Sequence, residues 1–356
     1  MSYNMYIMNN DKCKYFNVCG GCQIMEENFD TYVDIKTKKF LDSLKSKNIK
    51  AENILPVATF PIGIRRRANL KIDYGCNVGF YKRASNDVVG IKSCRMLVPE
   101  INRIIPYLPI LFKSFVKRSD GSIFITKVEN GLDMHFENIN ISPLDLPKIK
   151  AVAEKLGIIR ISNGREIIFS SDTPFVKFGE IKVPYPINTF LQPSLEGENK
   201  IVEVVKKFIG SEKFEKIADL FCGLGLFPFY LHGNASEVYA FDCNDEAIKE
   251  INKVAKQNNF NIKAKCVDLF SKPLHTEKLR EFDLIVLDPP RDGAKNQVME
   301  IAKSDVGKVI YVSCNPLTFV NDAEILQKAG YKIETIQPID QFTYTNHIEL
   351  VAMFIK

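Results

Sequence analysis

Residues 217–226 read IADLFCGLGL, and this stretch decides the fold of the carboxyl-terminal half of the chain. Its apolar start has the composition of a buried strand, and Asp219-Leu-Phe-Cys-Gly-Leu-Gly225 continues as a glycine turn that opens a helix. A turn of this kind lets the backbone approach a ligand closely. Because a third glycine and a Walker-type lysine are missing, the pattern argues against a dinucleotide or a triphosphate.

Short apolar runs alternate with helical stretches from Ile217 onward, which is typical of a parallel sheet with crossover helices. The predicted strands are Ile217–Phe221, Glu237–Asp242, Asn261–Val267, Phe282–Asp288, Lys308–Ser313, Lys332–Ile339 and His347–Ile355. The last two are joined without room for a helix, so the seventh strand is expected to run antiparallel. The predicted fold class is therefore α/β, with a seven-stranded Rossmann-like domain.

The part of the chain before residue 185 has a different texture. Residues 24–47 have the pattern of a helix, and residues 60–185 read as short strands with turns such as Asp120-Gly121 and Asn130-Gly131. We therefore predict a smaller α+β domain over residues 1–185 and a Rossmann-like catalytic domain over residues 186–356.

Composition sets the class of protein. The 356 residues suffice for two domains, and 46% hydrophobic with 26% charged residues excludes a disordered or fibrous chain. The net charge of +5, from 48 Lys+Arg against 43 Asp+Glu, is too small to indicate nucleic-acid binding by itself. Since no apolar run reaches the length of a membrane span and the start lacks a secretion signal, we expect a soluble, cytoplasmic protein with no membrane contact and no obligate protein partner.

Three acidic residues stand where predicted strands end, at the edge where open α/β sheets bind ligands. Asp242 comes 23 residues after Asp219 and is placed to hold ribose hydroxyls, and Asp268 is placed to meet an adenine amino group. Two prolines stiffen the turn Asp288-Pro-Pro-Arg291. Methyltransferases that act on the adenine amino group commonly carry an aromatic residue after these prolines, so Arg291 argues against that reaction.

Cys314 closes the fifth predicted strand, in the turn Ser313-Cys-Asn-Pro316, at the same edge as these acids. Adding a thiolate to C6 of a uracil makes C5 a carbon nucleophile that can attack an electrophilic methyl group. A base must then remove the C5 proton, and Glu349, at the start of the antiparallel last strand, is the predicted general base. We expect His347 to be a structural hydrogen bonder.

Taken together, the motifs resemble the RNA uracil-C5 methyltransferase family, in particular its 23S rRNA enzymes of the RumA/RlmD type. The resemblance spans most of the chain. It is carried by Cys13-x5-Cys19-Gly-Gly-Cys22, Gly63-Ile-Arg-Arg-Arg-Ala68, Val78-Gly-Phe80 leading to Cys94, Phe190-Leu-Gln192, Asp219–Gly225, Asp288–Arg291, Ser313–Pro316 and His347-x-Glu349.

The resemblance implies a class I S-adenosylmethionine-dependent enzyme that forms 5-methyluridine in RNA through a covalent bond between Cys314 and C6. Cys314 matches the nucleophile of the family, and Glu349 matches its base. Cofactor contacts are implied or expected at Gln192, Phe221, Asp242, Asp268 and Asp288 and at the turn glycines Gly223 and Gly225. Gln192 and Asp288 are also implied at the target base, where Gln192 would polarise a uracil carbonyl toward attack by the thiol.

Three positions depart from the family pattern. Leu226 stands where an asparagine is usual after the glycine turn, Gln192-Pro193-Ser194 replaces Gln-Val-Asn, and Asp242 is shorter than the usual glutamate. The amino-terminal β-barrel (TRAM) module of some relatives is expected to be absent, because the cysteines begin at residue 13.

Three of the nine cysteines, Cys13, Cys19 and Cys22, are spaced by five and two residues. Without a secretion signal such a group favours a metal site over disulfides, and Cys94 is the best candidate for a fourth ligand. Four thiolates suit zinc or an iron–sulfur cluster, and the spacing does not decide between them. The resemblance implies a 4Fe–4S cluster that shapes an RNA surface and has no redox role.

RNA contact is predicted for Arg65, Arg66 and Arg67, and for Lys82-Arg83 beside Phe80 and Tyr81. Basic residues among aromatic ones suit phosphate contacts and base stacking. A run of arginines is equally typical of a solvated edge strand. The target uridine must leave its stack for Cys314 to reach C6, so a looped or flipped base is expected.

The predicted substrate is a specific uridine of 23S rRNA, and the same chemistry on the T-loop uridine of tRNA is the near alternative. A second class is a non-catalytic RNA-binding assembly factor, against which the presence of both Cys314 and Glu349 speaks. A third is a cytosine-C5 methyltransferase, whose usual Pro-Cys nucleophile motif is not seen.

Overall fold

The protein is described by a computed structural model over residues 13–25, 28–115 and 120–356. The α-helices in these ranges are α1 (Phe29–Ser46), α2 (Pro99–Ile104), α3 (Leu108–Phe115), α4 (Leu146–Leu156), α5 (Leu195–Ile209), α6 (Leu226–Leu231), α7 (Asp245–Gln257), α8 (Thr276–Leu279), α9 (Lys295–Ser304) and α10 (Pro316–Lys328). None of these described helices combines the length and the apolar character that crossing a membrane requires.

The strands in the same ranges are β1 (Ala51–Ile54), β2 (Ala58–Thr59), β3 (Arg67–Ile72), β4 (Val78–Tyr81), β5 (Val88–Gly90), β6 (Gly121–Val128), β7 (Gly131–Glu137), β8 (Ile158–Asn163), β9 (Glu166–Ser170), β10 (Phe175–Phe178), β11 (Ile181–Pro184), β12 (Phe214–Leu220), β13 (Ala235–Asp242), β14 (Ile262–Cys266), β15 (Leu284–Leu287), β16 (Lys308–Ser313), β17 (Lys332–Asp340) and β18 (Glu349–Ile355). They form two large sheets and the β10–β11 hairpin.

The carboxyl-terminal half is built on a sheet with the order β1-β17-β18-β16-β15-β12-β13-β14, and β2 pairs with the end of β17. The pairings among β12, β13, β14, β15 and β16 are parallel. β18 lies between β16 and β17 and runs antiparallel to both. The seven predicted strands and the antiparallel last strand are present, but the sheet has nine strands instead of seven, because β1 and β2 also pair with β17.

Helices cover both faces of this sheet, which explains why its strands are nearly continuous apolar runs. Ile217 and Val286 belong to one core with α5, α6 and α7, whereas Ala218 and Ile285 belong to the other with α1, α9 and α10. Side chains within the strands are therefore committed to packing. Polar residues just beyond the strand ends are the ones that can reach a ligand.

The amino-terminal sheet has the order β5-β4-β3-β6-β7-β8-β9 and is antiparallel except between β7 and β8. Helices α2, α3 and α4 pack against it through Ile101, Phe112 and Ile149. The predicted turn at Asn130-Gly131 is confirmed, because it joins β6 to β7 as a hairpin. Asp120-Gly121 instead leads into the start of β6.

Residues 29–59 lie with the carboxyl-terminal half. The helix predicted over residues 24–47 is α1, whose Phe40 and Leu44 share a core with Phe319 of α10. β1 and β2 pair with β17 in parallel. This segment thus packs with the carboxyl-terminal sheet, and the predicted division into two domains at residue 185 stays a prediction.

Candidate active site

A cleft of about 610 Å³ opens at the carboxyl edge of the large sheet. Parallel strands bring their carboxyl ends to one edge, so residues distant in sequence meet there. The predicted site residues that line the cleft are Gln192, Phe221, Gly223, Asp242, Asp268, Asp288, Cys314 and Glu349. Of the predicted cofactor and substrate contacts, Gly225, Arg65, Arg66 and Arg67 lie outside its lining.

The glycine turn after β12 is held by the acid at the end of β13. Phe221 and Gly223 have φ angles of +64° and +53°, so the chain reverses sharply. The Gly223 amide then donates to Asp242 Oδ2 at 2.9 Å, and the Asn244 amide donates to Oδ1 at 2.8 Å. A carboxylate accepts about four hydrogen bonds, so Asp242 keeps lone pairs for a ligand in the cleft.

Asp268, after β14, is exposed and is held by its own turn. Its Oδ1 accepts from the Phe270 amide at 3.0 Å and its Oδ2 from the Ser271 hydroxyl at 2.8 Å. The Ser271 hydrogen bond lowers the pKa of Asp268, which keeps it ionised. Beside it the rings of Phe221 and Phe270 lie 5.3 Å apart and form an aromatic wall.

Gly225 and Leu226 serve packing. Gly225 has a φ of +93°, and a Cβ there would lie 2.9 Å from the Phe229 ring and 3.0 Å from Ile251. Glycine at this position thus allows Phe229 of α6 and Ile251 of α7 to approach closely, and its predicted cofactor contact stays a prediction. Leu226 begins α6 and offers an apolar side chain to the cleft.

Cys314 lies in the turn between β16 and α10 and is partly exposed. Asn315 caps α10 by accepting from the Leu317 amide at 3.2 Å, and its Nδ2 donates to the Arg291 carbonyl at 2.9 Å. The Thr318 hydroxyl donates to the same carbonyl at 3.1 Å, so two predicted turns are tied together.

A chain of hydrogen bonds joins two carboxyl groups across the cleft floor. Gln192 Nε2 donates to Asp288 Oδ2 at 3.1 Å, and Gln192 Oε1 accepts from Gln341 Nε2 at 2.9 Å. The same Gln341 nitrogen donates to Glu349 Oε2 at 2.9 Å. The sequence did not predict Gln341. A signal was present, because Gln341 lies two residues after the end of the predicted strand Lys332–Ile339.

Burial governs the electrostatics of the cleft. It raises the pKa of Glu349 to about 8, with Asp288 adding to the effect and Gln341 opposing it. Burial likewise raises the pKa of Asp288 to about 7, against the Gln192 hydrogen bond. For Cys314, burial and then the two carboxylates raise the thiol pKa to about 12, while Arg291 opposes them. The charge of each of these three groups therefore affects the ionisation of the others, as expected of neighbours in one site.

The loop that precedes Glu349 is anchored on α1. Lys36 pairs with Asp340 at 2.8 Å and donates to the His347 carbonyl, and the Tyr32 hydroxyl donates to Asp340. Burial and the charge of Arg291 lower the pKa of His347, so the neutral ring accepts from Arg291 Nη2 at 3.0 Å. His347 thus makes the structural hydrogen bond expected of it, at the cleft wall.

Comparisons with known proteins identify the family. A sequence model of the tRNA (uracil-5-)-methyltransferase family matches residues 145–356. An uncharacterised RNA methyltransferase of Brucella melitensis is 33% identical over 357 residues, covering 98% of this chain and 84% of the relative. The chain belongs to the tRNA (uracil-5-)-methyltransferase family. The predicted enzyme class, an S-adenosylmethionine-dependent RNA uracil-5-methyltransferase, is confirmed.

Two further proteins resemble this methyltransferase over nearly its whole length. The 23S rRNA (uracil(1939)-C(5))-methyltransferase RlmD of Vibrio vulnificus is 27% identical, with 97% of this chain and 82% of the relative covered. The structure of Pyrococcus abyssi tRNA (uracil-54, C5)-methyltransferase in complex with S-adenosyl-L-homocysteine superposes with a TM-score of 0.75. It covers 95% of this chain and 86% of that one at 22% identity, which shows a common fold.

The arginine run of the methyltransferase faces inward. Arg65 Nη2 donates to the Thr343 carbonyl at 3.2 Å, and Arg67 Nη1 donates to the Leu191 carbonyl at 2.9 Å. Arg67 also lies over the Phe190 ring, 5.0 Å from its centroid. These contacts hold the segments on either side of the cleft against the amino-terminal sheet.

Arg66 is 7% exposed and forms a buried ion pair with Glu198 of α5. Its Nε donates to the Gln192 carbonyl at 3.0 Å. The guanidinium of Arg66 is enclosed by protein acceptors, and its predicted contact with phosphate stays a prediction. Its contribution to the cleft is to fix the backbone of Gln192.

A second cavity, of about 210 Å³, lies between the amino-terminal segment and the amino-terminal sheet. It is lined by all four predicted cysteines, namely Cys13, Cys19, Cys22 and Cys94. Asn102 brackets Cys94 by accepting from its amide at 2.7 Å and donating to its carbonyl at 2.9 Å. Burial raises the pKa of Cys22 to about 12, and Arg65 at the cavity wall opposes this.

The basic and aromatic group at residues 80–83 supports this cavity. Arg83 donates to the Cys22 carbonyl at 2.8 Å and lies over the Phe16 ring, 4.6 Å from its centroid. Lys82 pairs with Cys19 through a backbone bridge and is exposed. The predicted RNA contact of Lys82 and Arg83 stays a prediction.

Proposed function

We propose that this methyltransferase forms 5-methyluridine at a specific uridine of 23S rRNA, with Cys314 as covalent nucleophile and Glu349 as general base. One observation carries the proposal: thiol and carboxyl line the same cleft as the glycine turn. The 27% identity with a relative named as a 23S rRNA uracil-C5 methyltransferase supports rRNA as the substrate. Such a substrate fits the predicted cytoplasmic location.

The first step is addition to the ring. Cys314 gives its proton to solvent water as Sγ bonds to C6, and the C5–C6 electron pair moves toward C5 and the C4 carbonyl. When bound, S-adenosylmethionine would supply the electrophilic methyl group to C5 and be left as S-adenosylhomocysteine. Asp288 and Gln192 lie beside these groups and are proposed to orient the uracil.

The second step removes the C5 proton. Glu349 Oε1 is buried without a hydrogen-bond partner among the described residues, so it is free to receive that proton. As the proton leaves, the C–H electron pair re-forms the C5–C6 double bond and the Cys314 thiolate departs. The base acts only when ionised, so its pKa of about 8 matches a general base near neutral pH.

The proposed cofactor contacts are made by residues at the ends of the strands. Asp242 keeps acceptor capacity beside the glycine turn, which suits the ribose hydroxyls. Asp268 is ionised and exposed, which suits an adenine amino group. Phe221 and Phe270 offer an apolar wall between them. Gln192, Gly223 and Asp288 complete the proposed contacts at the methionine end.

For the cysteine-lined cavity we propose a 4Fe–4S cluster held by Cys13, Cys19, Cys22 and Cys94. All four thiols line one cavity of about 210 Å³. Among the described residues no group of His, Cys, Asp and Glu is placed to hold a single metal ion. The proposal therefore rests on the four thiols that share this cavity.

Iron and sulfide analysis of the anaerobically purified protein tests the cluster. Four iron and four sulfide per chain are expected, and a Cys22→Ser variant should lose most of both. One equivalent of zinc without iron would contradict the cluster. The iron-to-protein ratio is read without any activity assay, so it is independent of the methyl-transfer proposal.

The substrate is tested by mapping 5-methyluridine in 23S rRNA and tRNA from a strain that lacks this protein. Loss of one 23S rRNA site, restored by the wild-type gene and not by Cys314→Ala, is expected. The family description names tRNA, so the T-loop uridine is the second candidate. Loss confined to the T loop would replace rRNA by tRNA, and loss at neither RNA would contradict both.

A further inference from the structure

Gln341 touches both polar groups that flank the reaction site, and no motif pointed to it. We propose that Gln341 is a positioning residue for proton removal: its amide holds one oxygen of Glu349 so that the other stays free for the C5 proton. The inference rests on the proposed function, since it concerns the second step of that reaction.

The hydrogen bonds fix the orientation of the amide. Gln341 is 1% exposed, and its Nε2 donates at 2.9 Å both to Glu349 Oε2 and to Gln192 Oε1. An ionised carboxylate and an amide oxygen can only accept, so the group between them must present its nitrogen. Glu349 Oε1 has no partner in the described part of the chain. One oxygen is therefore pinned and the other is available.

Gly197 of α5 keeps Gln341 in place from the opposite side. A Cβ at residue 197 would overlap Oε1 of Gln341 and lie 2.7 Å from its Cβ. Only glycine allows this approach, and the glutamine consequently has no room to retreat from Glu349. The contact supplies a second way to disturb the same amide without altering its chemistry.

The hydrogen bond from Gln341 to Glu349 acts against the other influences on this carboxyl group. Asp288 and a Cys314 thiolate both oppose ionisation of Glu349, and burial acts in the same direction. The Gln341 amide is the group that lowers the pKa of Glu349. A donor to a carboxylate favours the ionised form. Its removal should leave less base available near neutral pH.

Only the second step needs this base. The C5–H bond breaks, the proton joins Glu349, and the electron pair forms the C5–C6 double bond while the Sγ–C6 bond breaks. Adduct formation and methyl transfer precede these events and depend on Cys314. Loss of the Gln341 amide should therefore slow release of the RNA and leave methyl transfer largely intact.

The test follows Gln341→Met in single turnovers with methyl-labelled S-adenosylmethionine and unmethylated 23S rRNA and tRNA transcripts. Denaturing gels separate methyl transfer from release of covalently held RNA. We expect methyl transfer within about threefold of wild type and release slower by about 10- to 100-fold at pH 7. The difference in release rate between Gln341→Met and wild type should become smaller toward pH 9, because Glu349 is ionised in both proteins at high pH.

Gln337→Met is the matched control. Gln337 is a buried glutamine of β17 whose amide donates to the carbonyls of Pro56 at 2.7 Å and Pro338 at 2.8 Å, so it touches no carboxyl group. Its release rate and pH profile should equal those of wild type. Gly197→Ala should slow RNA release although the Gln341 amide is retained. If Gln341→Met has a low melting temperature, Gly197→Ala is used in its place.

Several results would overturn the positioning role. One is a wild-type rate of RNA release with an unchanged pH profile in both Gln341→Met and Gly197→Ala. Another is a release rate that falls as much in Gln337→Met as in Gln341→Met. A third is loss of adduct formation in Gln341→Met protein that is folded. Each leaves the proposed function standing. A wild-type protein that forms no adduct on either transcript would instead contradict the proposed function.

Discussion

The cleft and the arginine run at residues 65–67 both attracted functional predictions, yet their polar atoms are satisfied very differently. In the cleft, Glu349 Oε1 is buried without a hydrogen-bond partner among the described residues. In the arginine run, every guanidinium donates to a backbone carbonyl. Unpaired buried polar atoms are costly and persist where a ligand or a reaction uses them. Buried polar atoms that are paired within the protein instead indicate a structural role.

This contrast separates the consequences of substitution. Substitution of Cys314 or Glu349 should alter the reaction at little cost in stability, because Cys314 is partly exposed and Glu349 Oε1 has no partner among the described residues. Variants in the arginine run should lower stability first, since they leave carbonyls or a carboxylate unpaired in the interior.

Cys314→Ala should have the largest effect in the cleft. Methyl transfer to RNA should fall by more than about 10³-fold, because no other group adds to C6. The melting temperature should stay close to that of wild type, since Cys314 is only partly buried. Label incorporation and thermal melting measure the two effects. Undiminished methylation would remove Cys314 from the reaction.

Glu349→Gln should allow attack and block release. The rate of RNA release should fall by about 10²- to 10⁴-fold, the usual contribution of a general base. Covalent complex should accumulate on denaturing gels. Glu203→Gln, at an exposed ion pair on α5, is the control and should turn over normally. Prompt turnover by Glu349→Gln would eliminate this residue as the base.

Arg66→Met should act on stability. Its loss leaves Glu198 as an unpaired buried charge, which lowers the free energy of unfolding by about 3–5 kcal/mol. The double variant Arg66→Met/Glu198→Met should recover most of that loss, because both charges are then gone. Denaturant unfolding measures both. Wild-type stability with weakened RNA binding would return Arg66 to the predicted phosphate contact.

The smallest expected effect is on the pH dependence of stability. Burial raises the pKa of Glu349 to about 8 and that of Asp288 to about 7, whereas carboxyl groups of an unfolded chain titrate near 4. The folded state therefore binds more protons between these values. This contribution to stability is full below about pH 4 and is lost as the pH rises through about 8.

Melting temperatures across that window check the prediction. The decline between about pH 5 and pH 8 should be shallower in Glu349→Gln than in wild type, because one of the two groups no longer titrates. Equal slopes in the two proteins would show that Glu349 has an ordinary pKa in the fold.

The sequence predicted the cleft because one local rule places its members. Residues at the ends of consecutive parallel strands meet at one edge, and this rule located Asp242, Asp268, Asp288 and Cys314. Gln341 follows the sixth predicted strand and satisfies the same rule, but its type suggested no chemistry on its own. A role for Gln341 can be inferred only from the structure, which shows its hydrogen bonds to Gln192 and Glu349.

Other features lay beyond sequence reasoning because they depend on how distant segments close together. The partner of Arg66 is Glu198, 132 residues away, and nothing local distinguishes a buried arginine from an exposed one in a basic run. The pairing of β1 and β2 with β17 joins the two ends of the chain in the same way. The sequence also did not show that Gly225 lies against Phe229 and Ile251, because packing and ligand binding both demand glycine.

The most direct test of the reaction is trapping on RNA that carries 5-fluorouridine at the target position. Fluorine at C5 leaves no proton for Glu349 to remove, so the adduct should persist after methyl transfer. Mass spectrometry of the digested complex should then find methylated fluorouridine attached to Cys314. Attachment to another residue, or no adduct under conditions where natural RNA is methylated, would contradict the covalent mechanism.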